Sequence, residues 1–263
     1  MKRNNGYLEL RIDSKYDDLI KLDIIKPLKR NKVCFYIDSL KLFFKEEESC
    51  FEELIGSEIA KLLNIDSVHY DMFEFISLDK RYKGVISEDF RCNGYNLITI
   101  DKIIDEYLLD SHKEIIYNDM NLELLSDAID NHYSNYINKE EIVSKIMDKI
   151  YKSFLFDILL GNIDNGKYNY EIMESDIDGK LCPYFDYEQI FKFSSTRLTV
   201  SDSDNYSMYD KLTPDNLEGL FIKIENDKGI KIDNNYKNII FLSYSRHYYN
   251  LGMVLEKINS KSK

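Results

Sequence analysis

Leu160-Gly-Asn-Ile-Asp164-Asn-Gly-Lys-Tyr-Asn169, followed after a short stretch by Pro183-Tyr-Phe-Asp186, is the part of the chain whose reading decides the fold. Upstream of it, apolar residues recur in steps of three and four from Ile142 and Val143 through Ile146, Ile150, Phe154 and Leu155 to Leu159. That period predicts a long, mostly buried helix. Gly161 is where it should stop, since glycine readily closes helices. After the polar loop, Tyr170 to Met173 and Lys180 to Tyr184 predict two short strands around the turn Ser175-Asp-Ile-Asp-Gly179. The order is therefore helix, glycine stop, polar loop, hairpin, and an aspartate after an aromatic pair.

That order suits phosphoryl transfer, which needs positioning and charge stabilisation more than covalent chemistry. One carboxylate must orient the hydroxyl that attacks. An amide oxygen and a second carboxylate must hold magnesium against nucleotide phosphates, because magnesium prefers hard oxygen ligands. Asp164 and Asn169 stand in the spacing D-x-x-x-x-N, and Asp186 follows the hairpin. The spacing alone is weak, since most such pairs are turn residues that bond their own backbone. The competing reading is a surface loop with three solvated polar residues.

Working outward, a cation for the phosphates and a carboxylate to hold it are also needed. Lys45, at the end of Phe43-Phe44-Lys45, and Glu53 on the next helix are the candidates. Glu52 is the nearest rival, but it points about 100° away around a helix. By themselves the two residues read as an edge-strand lysine and a solvated glutamate. Their position upstream of the Asp164 loop, in this order, is what gives them weight.

The rest of the chain fits around these residues. Tyr7 to Ile12 alternates as a strand, and Val33 to Lys45 reads as a hairpin broken at Asp38-Ser39. Cys50 to Asn64 carries helical spacing, while His69 to Ile76 and Gly84 to Ile86 predict further strands. Thr99 can cap a helix through Leu108, and Asn121 to Asn131 predicts another. Phe193 to Tyr209 reads as an extended loop, Thr213-Pro214 opens a helix, and Asn234 to Ile258 predicts a long closing helix.

Phe43-Phe44-Lys45, the run Glu53 to Ile65, Gly84 to Phe90, Leu160-Gly-Asn-Ile-Asp164 with Asn169, and Pro183-Tyr-Phe-Asp186 together resemble the HipA-like serine/threonine kinases, including compact, CtkA-like members. The resemblance spans residues 40 to 190 or so. It implies an α+β, two-lobed protein-kinase-like fold in a single domain over residues 1–263. The N-lobe, 1–95, would be small and β-rich with one helix; the C-lobe, 96–263, would be larger and mostly helical. It further implies Lys45 on the phosphates of ATP with Glu53 fixing it, Asp164 as catalytic carboxylate, and Asn169 and Asp186 as Mg2+ ligands. The expected substrate is a protein, and an antitoxin-like or regulatory protein partner fits the toxin and effector members.

Three departures stand against that pattern. The family's D-R-H is here Asp164-Asn165-Gly166; Asp186 is followed by Tyr187-Glu188 without a glycine; and no glycine lies between Gly6 and Gly56. A phosphate-covering loop would then fall on Lys26-Pro-Leu-Lys-Arg-Asn-Lys32, a stretch better read as a solvated basic turn. The first departure keeps a nucleotide-binding pseudokinase open as a second reading, and a small-molecule or lipid kinase stays open because a fold does not fix its substrate. Ser194, Ser195, Thr196, Thr199, Ser201 and Ser203 sit where kinases carry activation segments, which makes them candidates for autophosphorylation.

Bulk properties exclude some classes. A net charge of -12 argues against a chain that coats nucleic acid, so no direct nucleic-acid binding is expected. The four cysteines and four histidines lack zinc spacing. No apolar run approaches a membrane span, and the first residues lack a signal-peptide core, so a cytoplasmic protein without membrane attachment is expected.

Overall fold

The computed structural model describes residues 2–28, 32–37, 40–46, 50–91, 94–111, 122–162, 170–187, 190–191 and 212–261. They form two compact units, the first from Met1–Asp89, Ile158–Ile163 and Phe185–Lys263, the second from Phe90–Asp157 and Asp164–Tyr184.

The first unit is built on a seven-stranded sheet in the order β1-β2-β6-β7-β5-β4-β3. Its strands are β1 (Lys2–Asn4), β2 (Tyr7–Arg11), β3 (Ile25–Pro27), β4 (Lys32–Ile37), β5 (Leu40–Lys45), β6 (Asp71–Ile76) and β7 (Arg81–Glu88). All neighbours are antiparallel except β2 and β6. The expected hairpin across Asp38-Ser39 is β4 and β5, with Val33 opposite Phe44 and Phe35 opposite Leu42.

Side chains alternate along a strand, and β5 uses both faces. Leu42 and Phe44 enter an aromatic core with Phe35, Phe73 and Phe75. Lys45, one residue on, reaches the helix α2 (Cys50–Leu62) instead. The expectation of one helix in this part is corrected. A second helix, α1 (Tyr16–Lys21), adds Tyr16 and Leu19 to the aromatic core. Six residues are too few to display a 3.6-residue period.

The basic stretch offered as a phosphate-covering loop belongs in part to strands. Lys26 and Pro27 lie in β3 opposite Cys34 and Val33, and the Leu28 N–H donates to the Lys32 carbonyl at 2.8 Å. Residues 29–31 are outside the described residues.

The closing helices also belong to this unit: α6 (Pro214–Lys228), opened by Thr213-Pro214, and α7 (Asn234–Lys261). Phe51 of α2 rests against Tyr236 of α7. Lys228 of α6 lies 3.6 Å from Glu58 of α2 and 3.4 Å from Asp71 of β6. α2 is thereby held at several points along its length.

The second unit carries a three-stranded antiparallel sheet in the order β10-β9-β8, made of β8 (Asn96–Thr99), β9 (Glu171–Glu174) and β10 (Gly179–Leu181). Against it stand α3 (Ile100–Ser111), α4 (Leu122–His132) and α5 (Lys139–Leu160). Thr99 caps α3, its hydroxyl accepting the Lys102 N–H at 3.3 Å. Ile142, Ile146 and Ile150 of α5 join Ile103, Ile104, Leu125, Ile129 and Ile172 in one apolar core. α5 ends at Gly161, in the left-handed region at φ 60°. A Cβ there would also stand 2.2 Å from His247 Nε2 of α7, so a side chain at this position is doubly excluded. No described helix is long and apolar enough to cross a membrane.

Candidate active site

β5 ends by delivering Lys45, and the first turns of α2 deliver Glu53 opposite it. The Lys45 ammonium donates to Glu53 Oε1 at 2.6 Å and to Asp186 Oδ1 at 3.1 Å. Glu53 Oε2 accepts the Tyr187 backbone N–H at 3.0 Å. One carboxylate thus ties the lysine of β5 to the chain segment that carries Asp186. Glu52, one position along α2, lies instead beside Tyr236 of α7.

Burial grades the three side chains. Those of Lys45 and Glu53 are 8% and 1% exposed, whereas the Asp186 carboxylate keeps 21%. Asp186 is therefore the member that a ligand from solvent can reach. Its backbone sits in the left-handed region at φ 69°, a conformation that aspartate tolerates better than most residues but that still needs support. Support comes from Lys45 on its carboxylate, from Glu53 on the next N–H, and from a backbone hydrogen bond to the Tyr70 hydroxyl.

Tyr187 is fully buried and packs its ring edge-on against Tyr70. Its side chain also comes up against Gly56 of α2, where an added Cβ would collide with Tyr187 Cδ1 and Cγ. That glycine is thus required for the close approach of α2 to the Asp186 segment. Farther on, the Phe191 N–H donates to the Leu160 carbonyl at 2.7 Å, and the Ser243 hydroxyl donates to the Phe191 carbonyl at 2.8 Å.

Burial pushes the Glu53 carboxyl up to about 7, with the neighbouring Lys45 only partly opposing it. The sign follows from linkage. Below the unfolded value near 4.5 the group is protonated in both states; between there and about 7 only the native state holds the proton. Stability from this group is therefore lost as pH rises through that window. Thermal unfolding of wild type and Glu53→Gln from about pH 5 to about pH 8 should show the variant gaining relative stability as pH rises. A gain toward low pH would mean that Lys45 outweighs burial.

Of the five residues singled out in the sequence, Lys45, Glu53 and Asp186 come together, while Asp164 and Asn169 lie outside the described residues. The Ser/Thr stretch from 194 to 203 lies outside them too. Among the described residues, no three His, Cys, Asp or Glu side chains cluster as a metal cage.

The sequence matches no protein-family model and no curated protein. Among solved structures, the crystal structure of a Helicobacter pylori proinflammatory kinase, CtkA, matches with a TM-score of 0.59 at 16% identity, over 90% of this chain and 97% of that one. The chain has the CtkA kinase fold. HipA of Shewanella oneidensis MR-1, solved in a toxin–antitoxin complex with HipB and operator DNA, matches at a TM-score of 0.42 and 13% identity, over 93% of this chain and 64% of that one.

Proposed function

We propose that the chain is an ATP- and magnesium-dependent serine/threonine protein kinase of the HipA-like kind. The observation that carries this reading is the lysine held between two carboxylates, Glu53 and Asp186, on a kinase fold. Lys45 offers its ammonium hydrogens to nucleotide phosphate oxygens, and Glu53 keeps it in place. Asp186, with Asn169, supplies hard oxygen ligands for magnesium. When bound, magnesium neutralises charge on the phosphates. Asp164 orients the acceptor hydroxyl and takes its proton. The hydroxyl oxygen forms a bond to the γ-phosphorus as the bond to the β,γ-bridging oxygen breaks, and ADP departs.

Incubation with γ-labelled ATP and magnesium tests it. Wild type should transfer label to itself or an added protein, and Asp164→Ala should lose about 10²- to 10⁴-fold. Asn165-Gly166, in place of the family's Arg-His, favours a second reading, a pseudokinase that holds nucleotide and regulates a partner. Thermal stabilisation by magnesium and nucleotide without transfer would select it. Label found only on small molecules or lipids would move the acceptor class away from protein.

A further inference from the structure

Lys228, the last residue of α6, is only 9% exposed, and the mechanism above gives it no role. Its ammonium lies between carboxylates of two other elements, Glu58 Oε1 of α2 at 3.6 Å and Asp71 Oδ2 of β6 at 3.4 Å. Arg3 of β1 fixes both sides of this clamp, donating to Asp71 Oδ2 at 2.6 Å and to the Lys228 carbonyl at 3.3 Å. Glu58 is itself buried, with the half-exposed His69 ring 3.6 Å from its carboxylate. Apolar burial along α2 is already complete at Leu54, Ile55 and Ile59. That burial has no direction, and dehydrating a lysine and a glutamate is costly. What the charges add, and apolar packing does not, is a defined register.

Glu58 follows Glu53 on α2 and points about 140° away around the helix. Glu53 meets Lys45 and the Tyr187 N–H, while Glu58 meets Lys228. A helix held by charge at both angles cannot turn about its axis without breaking one of the two contacts. Asp71 in turn directly follows Tyr70, whose hydroxyl takes the backbone hydrogen bond from Asp186. The clamp thus bears on both residues, Glu53 and Tyr70, that support the Asp186 segment. We propose that Lys228 is a positioning residue: by pairing with Glu58 and Asp71 it sets the rotation of α2 and so aims Glu53 at Lys45. Its consequence for nucleotide rests on the kinase reading.

The test reads two quantities in wild type, Lys228→Met, Glu58→Gln, their double variant and Lys228→Arg. One is hydrogen exchange at the Tyr187 amide, which donates to Glu53; the other is affinity for a non-hydrolysable ATP analogue. Each neutral variant should speed Tyr187 exchange and weaken nucleotide about 10-fold, while the amides of β4 keep their wild-type rate. The double variant should lose no more than either single one, since one contact is removed in all three. Lys228→Arg keeps the charge and should lose less than Lys228→Met; an equal loss overturns the role given to the charge. If Lys228→Met does not fold, Glu58→Gln, which keeps the side-chain shape, carries the test. Wild-type exchange at Tyr187 in the folded variants overturns the inference. So does equal acceleration in β4, which marks general loosening, and so does faster exchange with unchanged nucleotide affinity. A wild type that binds no nucleotide overturns the kinase reading instead, and the exchange data still decide whether Lys228 places Glu53.

Discussion

Asp186→Asn is expected to fold and to lose phosphate transfer by at least about a thousandfold. The change keeps the side-chain shape and the tolerance for the left-handed backbone at φ 69°, so the loss isolates the charge. Lys45 keeps Glu53 at 2.6 Å, and Glu53 keeps the Tyr187 N–H at 3.0 Å, so the local scaffold survives. What disappears is the anionic oxygen most open to solvent and best placed for a divalent ion. Asp186→Ala should lose as much transfer and add a stability cost of about 1 kcal/mol, because alanine is strained at that backbone angle. Labelled-ATP assays paired with circular dichroism read both quantities. Wild-type transfer by Asp186→Asn would mean that Asp186 is no metal ligand.

How far the sequence reached depended on the kind of interaction involved. The β4–β5 hairpin was legible because two apolar runs flank a polar pair, and α5 because its period runs over five turns or so. Choosing Glu53 over Glu52 needed only helix geometry, and the two residues do turn to different partners. The short elements β1, α1 and β3 have three to six residues each, too few to show a period. For β1 and β2 a signal existed in Asn5-Gly6, a hairpin dipeptide, at positive φ in both residues. Asp157 left a fainter one, an acid inside a helix read as mostly buried. The tyrosines whose hydroxyls it accepts, Tyr170 and Tyr184, 13 and 27 residues away, are set by topology and not by local pattern. The same holds for Tyr70 and Gly56, whose contacts with Tyr187 join distant parts of the chain. That Asp186 meets Lys45, 141 positions apart, was reachable only through the resemblance to a family.

The largest stability effect should come from Glu53. Glu53→Ala takes from a buried ammonium its partner at 2.6 Å, deprives the Tyr187 N–H of its acceptor, and opens a void under α2. Removing one partner of a buried ion pair typically costs about 3–5 kcal/mol, which is a large share of the stability of an ordinary domain. The pair as a whole need not be stabilising, because dehydrating two charges offsets much of their attraction. Lys45→Met with Glu53→Gln should therefore recover most of that loss. The glutamine oxygen can still accept from Tyr187, and methionine fills the space of the lysine stem. Urea unfolding of the two variants beside wild type measures the difference. A cost below about 1 kcal/mol for Glu53→Ala would place the pair among solvated ion pairs. If the double variant regains stability yet binds no nucleotide, the charged pair is retained for ligand binding and not for folding. That outcome would separate what holds α2 against β5 from what the proposed active site requires of Lys45.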